Sequence, residues 1–347
     1  MSANLPNRSD RADEGEPPEW SDPHHPFPAT ADEILRLLTD RVGESVVGSA
    51  DTVRLLFIAL VTEGHVLLEG APGIAKTLLV RRFAGGLALS FKRIQFTPDM
   101  LPSDIIGNVI LNPADRAFEY RRGPVFANVV LADEINRAPP KVQSALLEAM
   151  QERQVTVNGV AYPLPRPFIV IATQNPIEQE GTYPLPEAEV DRLLFRVLLD
   201  YPSELDERDV IHRHAKTEEE PPADRPVADA ATLGALRRRM DDVYVSPDLE
   251  AYITRLVRAT REDPRFLIGV SPRAGVQLAR AAKAEAMVRG RAYVAPEEVK
   301  RVAFHVLNHR IALQPDVLTE GYAQGLSDER IVRGVLTDLL DQVPIPR

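Results

Sequence analysis

Cysteine is absent from this chain, which excludes disulfides, thiolate metal centres and cysteine nucleophiles together. Long apolar runs are missing too. The longest, Leu55 to Val61, falls far short of the ~20 residues needed to cross a bilayer. The opening MSANLPNRSDRADEGEPPEW lacks the apolar centre of a secretory leader, so a soluble, cytoplasmic protein without membrane insertion is expected. Basic excess is lacking as well. A net charge of −10 argues against a protein that grips nucleic acid over its whole surface. Tryptophan occurs once, at Trp20, inside a Pro- and acid-rich stretch, residues 1–28, that cannot bury enough surface to offset its ordering entropy and reads as a disordered tail.

What remains is ordinary globular material: 347 residues, 44% hydrophobic and 27% charged, enough for roughly two domains. Helical periodicity begins at Ala31 and returns from about Ser49 to Thr62. Five short apolar runs follow, at 65–69, 93–96, 128–132, 168–172 and 194–199, with helical segments at 76–88 and 139–152 among them. Such alternation predicts an α/β fold with a five-stranded, mostly parallel sheet covered on both faces. Ligands of these sheets bind at the carboxyl ends of the strands, where every candidate residue below is expected.

Two pieces break the alternation. Residues 105–120 read as two β segments around an Asn-Pro-Ala-Asp turn, and 153–164 carry Asn158-Gly159 between alternating residues, a strong hairpin signal. A charged, proline-rich stretch lies within 201–226, and the chain beyond it reads as wholly helical. Ser246-Pro247, Ser271-Pro272 and Ala295-Pro296 each mark a helix start. The expected divisions are a tail at 1–28, a nucleotide-binding core at 29–204, a linker and connecting helix at 205–245, and a helical lid at 246–347.

The chemistry begins with the run Gly70, Ala71, Pro72, Gly73, Ile74, Ala75, Lys76, Thr77, Leu78, where an apolar run turns through a Gly/Pro loop into a helix. Such a loop aims backbone N–H groups at phosphate oxygens. Only six of the chain's 41 basic residues are lysines, and one stands at the phosphate position. Ala75 takes the place of the second glycine of G-x-x-x-x-G-K-[ST], where helical backbone angles are expected. Lys76 is expected on the β- and γ-phosphates of ATP and Thr77 on Mg²⁺. The strand Val129-Val-Leu-Ala ends in Asp133, a metal ligand, and Glu134, an activator of water. Asn175 ends FIVIATQN and can orient that water. Arg192, in EAEVDRLLF, and Arg273, in GVSPRA, are the candidates to meet charge developing on phosphate. His305 and His309 are four apart on a helix, but no third ligand accompanies them and they read as structural. Arg237 to Arg239 read as a solvated basic face.

EGAPGIAKT, LADEINRAPPKVQSALLEAMQERQVTV, ATQNPIEQEGTYPLPEAEVDRLLF and GVSPRA together resemble the MoxR family of AAA+ ATPases, over residues from about 30 to 340. Leu193 stands where phenylalanine is usual and Val270 where alanine is usual. The resemblance implies an AAA+ P-loop core with a small helical lid. It also implies that Asn175 is sensor 1, Arg192 an arginine finger and Arg273 sensor 2, with Val46, Val47 and Gly48 against adenine. Residues 105–120 and 153–164 would be the helix-2 insert and the pre-sensor-1 hairpin, lining the channel of a ring. Further implications are a homo-hexamer, chaperone-like remodelling of a protein client, and a partner with a von Willebrand factor A domain. A metal-chelatase motor subunit and a nucleotide-dependent scaffold are the alternatives; a DNA motor is disfavoured by the acidic balance.

Overall fold

A computed structural model describes residues 27–28, 30–111, 117–176, 181–214 and 226–346. Nearly all of the tail read at 1–28, the turn at 112–116 and the charged stretch 215–225 lie outside the described residues. Helices α1 (Ala31–Gly43) and α2 (Ala50–Thr62) lead into β1 (Val66–Gly70), the phosphate loop and α3 (Lys76–Gly85). After β2 (Leu87–Ala88) come β3 (Phe91–Gln95), α4 (Pro102–Ile106) and the paired strands β4 (Gly107–Leu111) and β5 (Phe118–Arg122). Then follow β6 (Val129–Asp133), α5 (Pro140–Glu152), a hairpin of β7 (Gln154–Val157) and β8 (Val160–Pro163), and β9 (Ile169–Gln174). The core closes with α6 (Glu187–Val190), β10 (Phe195–Leu199) and α7 (Glu204–His214). The remainder comprises β11 (Ala228–Asp229), α8 (Ala230–Asp241), α9 (Pro247–Glu262), β12 (Phe266–Ile268), α10 (Pro272–Val288), α11 (Pro296–Leu307), β13 (Ala312–Leu313), α12 (Pro315–Ala323) and α13 (Asp328–Gln342).

All five apolar runs become strands of one sheet, in the order β10-β1-β9-β6-β3, and every pair in it is parallel. β1 and β6 are buried along their whole length, as a sheet covered on both faces requires. One apolar cluster joins α1, α2 and the sheet to α9, α10, α11 and α13, while a second fills the space between the sheet and α5.

The arrangement of elements departs from the sequence reading in two places. Residues 204–214, within the stretch 201–226 that reads as a linker or hinge, are helical: Ser203 donates to Asp206 Oδ2 and accepts from the Asp206 N–H, capping α7 where few apolar residues announce it. The region beyond is not wholly helical, because β12 and β13 pair antiparallel and Tyr244 bridges to Tyr293. Segments of two or three residues carry no readable period. The Asn158-Gly159 turn does form, with both residues at positive φ (50° and 79°), as a two-residue hairpin loop demands.

Candidate active site

The phosphate loop leaves β1 at Gly70, where a Cβ would meet the Leu199 carbonyl oxygen at 2.6 Å, so only glycine fits beside β10. Gly73 has φ +86° and Ala75 φ +60°. These left-handed residues curl the loop into a concave nest of N–H groups at the start of α3. The helical angles expected at Ala75 are therefore corrected: the position is one that glycine suits and alanine strains. Lys76 Nζ donates to the carbonyls of Gly70 (2.5 Å) and Ala71 (2.9 Å), which pins the ammonium across the loop. Burial lowers its pKa, against the opposing pull of Asp133, Glu134 and Glu69.

Both carboxylates lie at the end of β6, which β9 separates from β1 in the sheet. Asp133 is buried; its Oδ2 accepts from Thr77 Oγ1 at 3.0 Å and its Oδ1 from Thr173 Oγ1 at 2.6 Å. Thr173 also accepts the Glu134 N–H at 2.9 Å, fixing the turn of the chain after β6, where Glu134 has φ +57°. A hydroxyl and a carboxylate side by side form a hard oxygen pair of the kind Mg²⁺ takes, with water and phosphate oxygens completing its shell. Neither carboxylate is idle. Arg93 on β3 donates to Asp133 Oδ2 through Nε (2.9 Å) and Nη2 (2.7 Å), and Nη2 also reaches Gln95 Oε1 at 2.5 Å. Gln95 in turn donates to Glu134 Oε2 at 2.9 Å, and Arg137 pairs with the same oxygen at 3.0 Å. Asn175 is buried directly beyond the end of β9, the strand between β1 and β6. Val46, Val47 and Gly48 form the turn between α1 and α2, where Gly48 has φ +74° and faces the Asp206 carboxylate of α7.

Arg192 and Arg273 are elsewhere. Both line a cavity with Gly64, His65 and Leu194, residues that precede β1 and β10. That is the amino edge of the sheet, while Lys76, Asp133, Glu134 and Asn175 crowd the carboxyl edge. A five-residue parallel strand separates the two edges by about 16 Å. The expectation that every candidate falls at the carboxyl ends is thus corrected for these two, since Arg192 comes before its strand rather than after it.

A braced network holds the pair at that edge. Arg310, its side chain 1% exposed, donates Nε to Asp191 Oδ1 (3.0 Å) and Nη2 to the Asp191 carbonyl (3.0 Å), to the Leu193 carbonyl and to Gln277. Ser271, at the start of α10, donates to Asp191. Burial brings the Arg310 pKa down to about 10, so it remains a cation at neutral pH. His309 Nε2 bonds the Leu193 carbonyl at 3.2 Å, and burial holds His305 and His309 well below the usual imidazole range; among the described residues no metal-ligating cluster exists. Arg237 is not on a merely solvated face: it pairs with Glu63, whose side chain is 4% exposed. Sequence reasoning missed Arg93, Gln95, Glu63, Arg153 and Arg310. Arg93 and Gln95 meet the carboxylates of β6 only because the sheet order sets β3 beside it, and the others carry no local signal either.

Residues 65–195 match the model of the ATPase family associated with various cellular activities (AAA), and residues 258–333 match the AAA lid domain. The chain is 44% identical over 308 residues to Chaperone MoxR1 of Mycobacterium tuberculosis, covering 86% of this chain and 81% of that one. It is 43% identical over 316 residues to the YeaC protein of Bacillus subtilis, with 90% and 96% covered, and 32% identical over 330 residues to the MoxR protein of Methylorubrum extorquens, with 88% and 93% covered. Among solved structures it is similar to a candidate ATPase from Cytophaga hutchinsonii, with a TM-score of 0.80, 44% identity, and 91% and 96% of the two chains covered.

Proposed function

The chain belongs to the MoxR family of AAA+ ATPases, and we propose that it hydrolyses ATP in a ring of identical copies to remodel a protein client. One observation carries the ring reading: the phosphate loop and carboxylates lie at one edge of the sheet, the two candidate arginines at the other. At about 16 Å they cannot serve one nucleotide within one chain. Head-to-tail packing of identical copies would bring the arginine edge of one against the loop edge of the next, and a closed ring satisfies every copy. Six copies, a von Willebrand factor A domain partner and a chaperone-like role are the specific form we propose. The name of Chaperone MoxR1 supports the last of these.

Within the site, the loop N–H groups and Lys76 hold the phosphates. Thr77 and Asp133 would hold Mg²⁺, which supplies neutralisation of phosphate charge when bound. Glu134, once released from Gln95 and Arg137, takes the proton of the attacking water, and Asn175 orients that water. Arg192 and Arg273 of the adjacent copy stabilise charge on the transferring phosphoryl oxygens, the role worth most in a water-poor site. Val46, Val47 and Gly48 bound the adenine.

Turnover against protein concentration, with mass from light scattering in the same samples, tests this for wild type and Glu134→Gln. Turnover should rise as the ring assembles and vanish in the variant while nucleotide binding persists. Full turnover by a monodisperse monomer would overturn the shared site.

A further inference from the structure

We propose that Arg153 and Arg280 are two further phosphate-binding residues, forming with Arg192 and Arg273 a four-guanidinium receptor for the polyphosphate of the ATP held by the adjacent copy. The proposal rests on the shared-site reading above. Arg153, Arg192, Arg273 and Arg280 all line the cavity at the amino edge, and its only carboxylate is that of Glu63. His65, on the same lining, is neutral at pH 7, because burial pushes its pKa down to about 4. Four guanidiniums therefore face one carboxylate, in a chain whose overall charge is −10. Such concentration of like charge in a half-enclosed space is costly by itself and is relieved by an anion.

The two residues are placed to respond. Arg280 on α10 donates to the Thr62 carbonyl at 2.7 Å, leaving further N–H donors of its guanidinium for another acceptor, and burial beside Arg237 and Arg153 lowers its pKa. Arg153 pairs with Glu63, which also pairs with Arg237 on α8. A carboxylate 4% exposed cannot be stripped of its only cation without a large penalty, but Glu63 has two. Arg237 therefore keeps Glu63 satisfied when Arg153 turns to phosphate. Arg153 is also the residue that ends α5, at φ +54°, immediately before β7. Engagement of the neighbour's nucleotide thus pulls on the base of the 154–163 hairpin.

Co-expressed mixtures of two full-length variants separate this role from a structural one. Lys76→Ala subunits keep their arginines but lack a working loop; Arg153→Ala subunits keep the loop. Each alone should turn over roughly tenfold or more slowly than wild type, with kcat lowered and binding of a fluorescent ADP by the Arg153→Ala loop unchanged. Mixed equally, they should recover activity, because roughly a quarter of interfaces join an intact loop to an intact arginine edge. Arg280→Ala should behave alike. Arg153→Lys, which keeps the charge for Glu63 but loses the planar fork, guards against misfolding and should show the same kcat loss. The control mixture is Lys76→Ala with Arg192→Ala. Recovery there without recovery for Arg153 or Arg280 would place those residues' effects in their own subunit and overturn the proposal; failure of both mixtures would overturn the shared site itself. Wild-type kcat in both Arg153→Ala and Arg280→Ala would also overturn the proposal.

Discussion

Ala75 and His65 show what single positions cost and contribute. At φ +60°, alanine bears the steric penalty of the left-handed region that glycine escapes. Ala75→Gly should raise the urea midpoint, through a gain in unfolding free energy of up to about 1 kcal/mol after the added unfolded-state freedom of glycine is subtracted. A lowered midpoint would show that the loop does not feel the strain. His65 uses both ring nitrogens while neutral: Nδ1 accepts the Val170 N–H at 3.0 Å, and Nε2 faces the Met150 carbonyl at 3.2 Å. Its pKa and that of His305 are pushed down to about 4 by burial. An unfolded imidazole takes up its proton near 6.5, so between 6.5 and 4 the unfolded chain binds more protons than the folded one. Stability is fully present above that window and is lost as pH falls through it, by on the order of 3 kcal/mol for each imidazole. Urea midpoints at pH 7.5 and pH 5 check the sign, and equal values would contradict it. The residues of the loop and both carboxylates were legible in the sequence because their chemistry demands those types at fixed offsets from a strand. Arg93 and Gln95 were not singled out, since a strand end that holds another strand's carboxylates is defined only by the sheet order.

Among the elements, the hairpin of β7 and β8 makes the most exposed demand on its turn. Asn158 and Gly159 both sit at positive φ, and the turn sets the register that pairs Val157 with Val160. Gly159→Val should cost about 1–2 kcal/mol locally, because a β-branched residue tolerates φ +79° poorly. Amide exchange across 154–163 should then accelerate while nucleotide binding is unchanged; unchanged exchange would mean the turn is not what holds the hairpin. This hairpin and all five sheet strands were readable as elements, since period-2 alternation, Asn-Gly turns and apolar runs are local signals. α7 and the β12–β13 pair were not. The first is a charged helix held by its cap, and the second depends on two short segments some forty residues apart finding each other.

For the whole molecule, the candidate residues stand out in the sequence, but their separation across the sheet does not. Arg192 reads as a neighbour of the fifth strand, and only the parallel sheet shows that preceding a strand rather than following it moves a residue to the opposite edge. Arg310 then becomes decisive, since it ties the 191–193 segment to the body that carries Arg273. Arg310→Ala should cost about 3–5 kcal/mol, by leaving Asp191 and its neighbouring carbonyls without their buried cation. It should also lower turnover. Arg192→Ala should lower turnover without loss of stability. Thermal melts and ATPase rates on the same preparations distinguish the two, and a fully stable Arg310→Ala would show that the brace is dispensable.

That brace has one more consequence. Asp191, Gln277 and Ser271 are tied through one buried guanidinium and its partners, so the segment carrying Arg192 and the helix start carrying Arg273 are cross-linked to each other. In the ring proposed above they would report on a neighbour's nucleotide as a single bit, both arriving or both withdrawn. Such a ring would pass its state from copy to copy in whole steps, with no half-read intermediate.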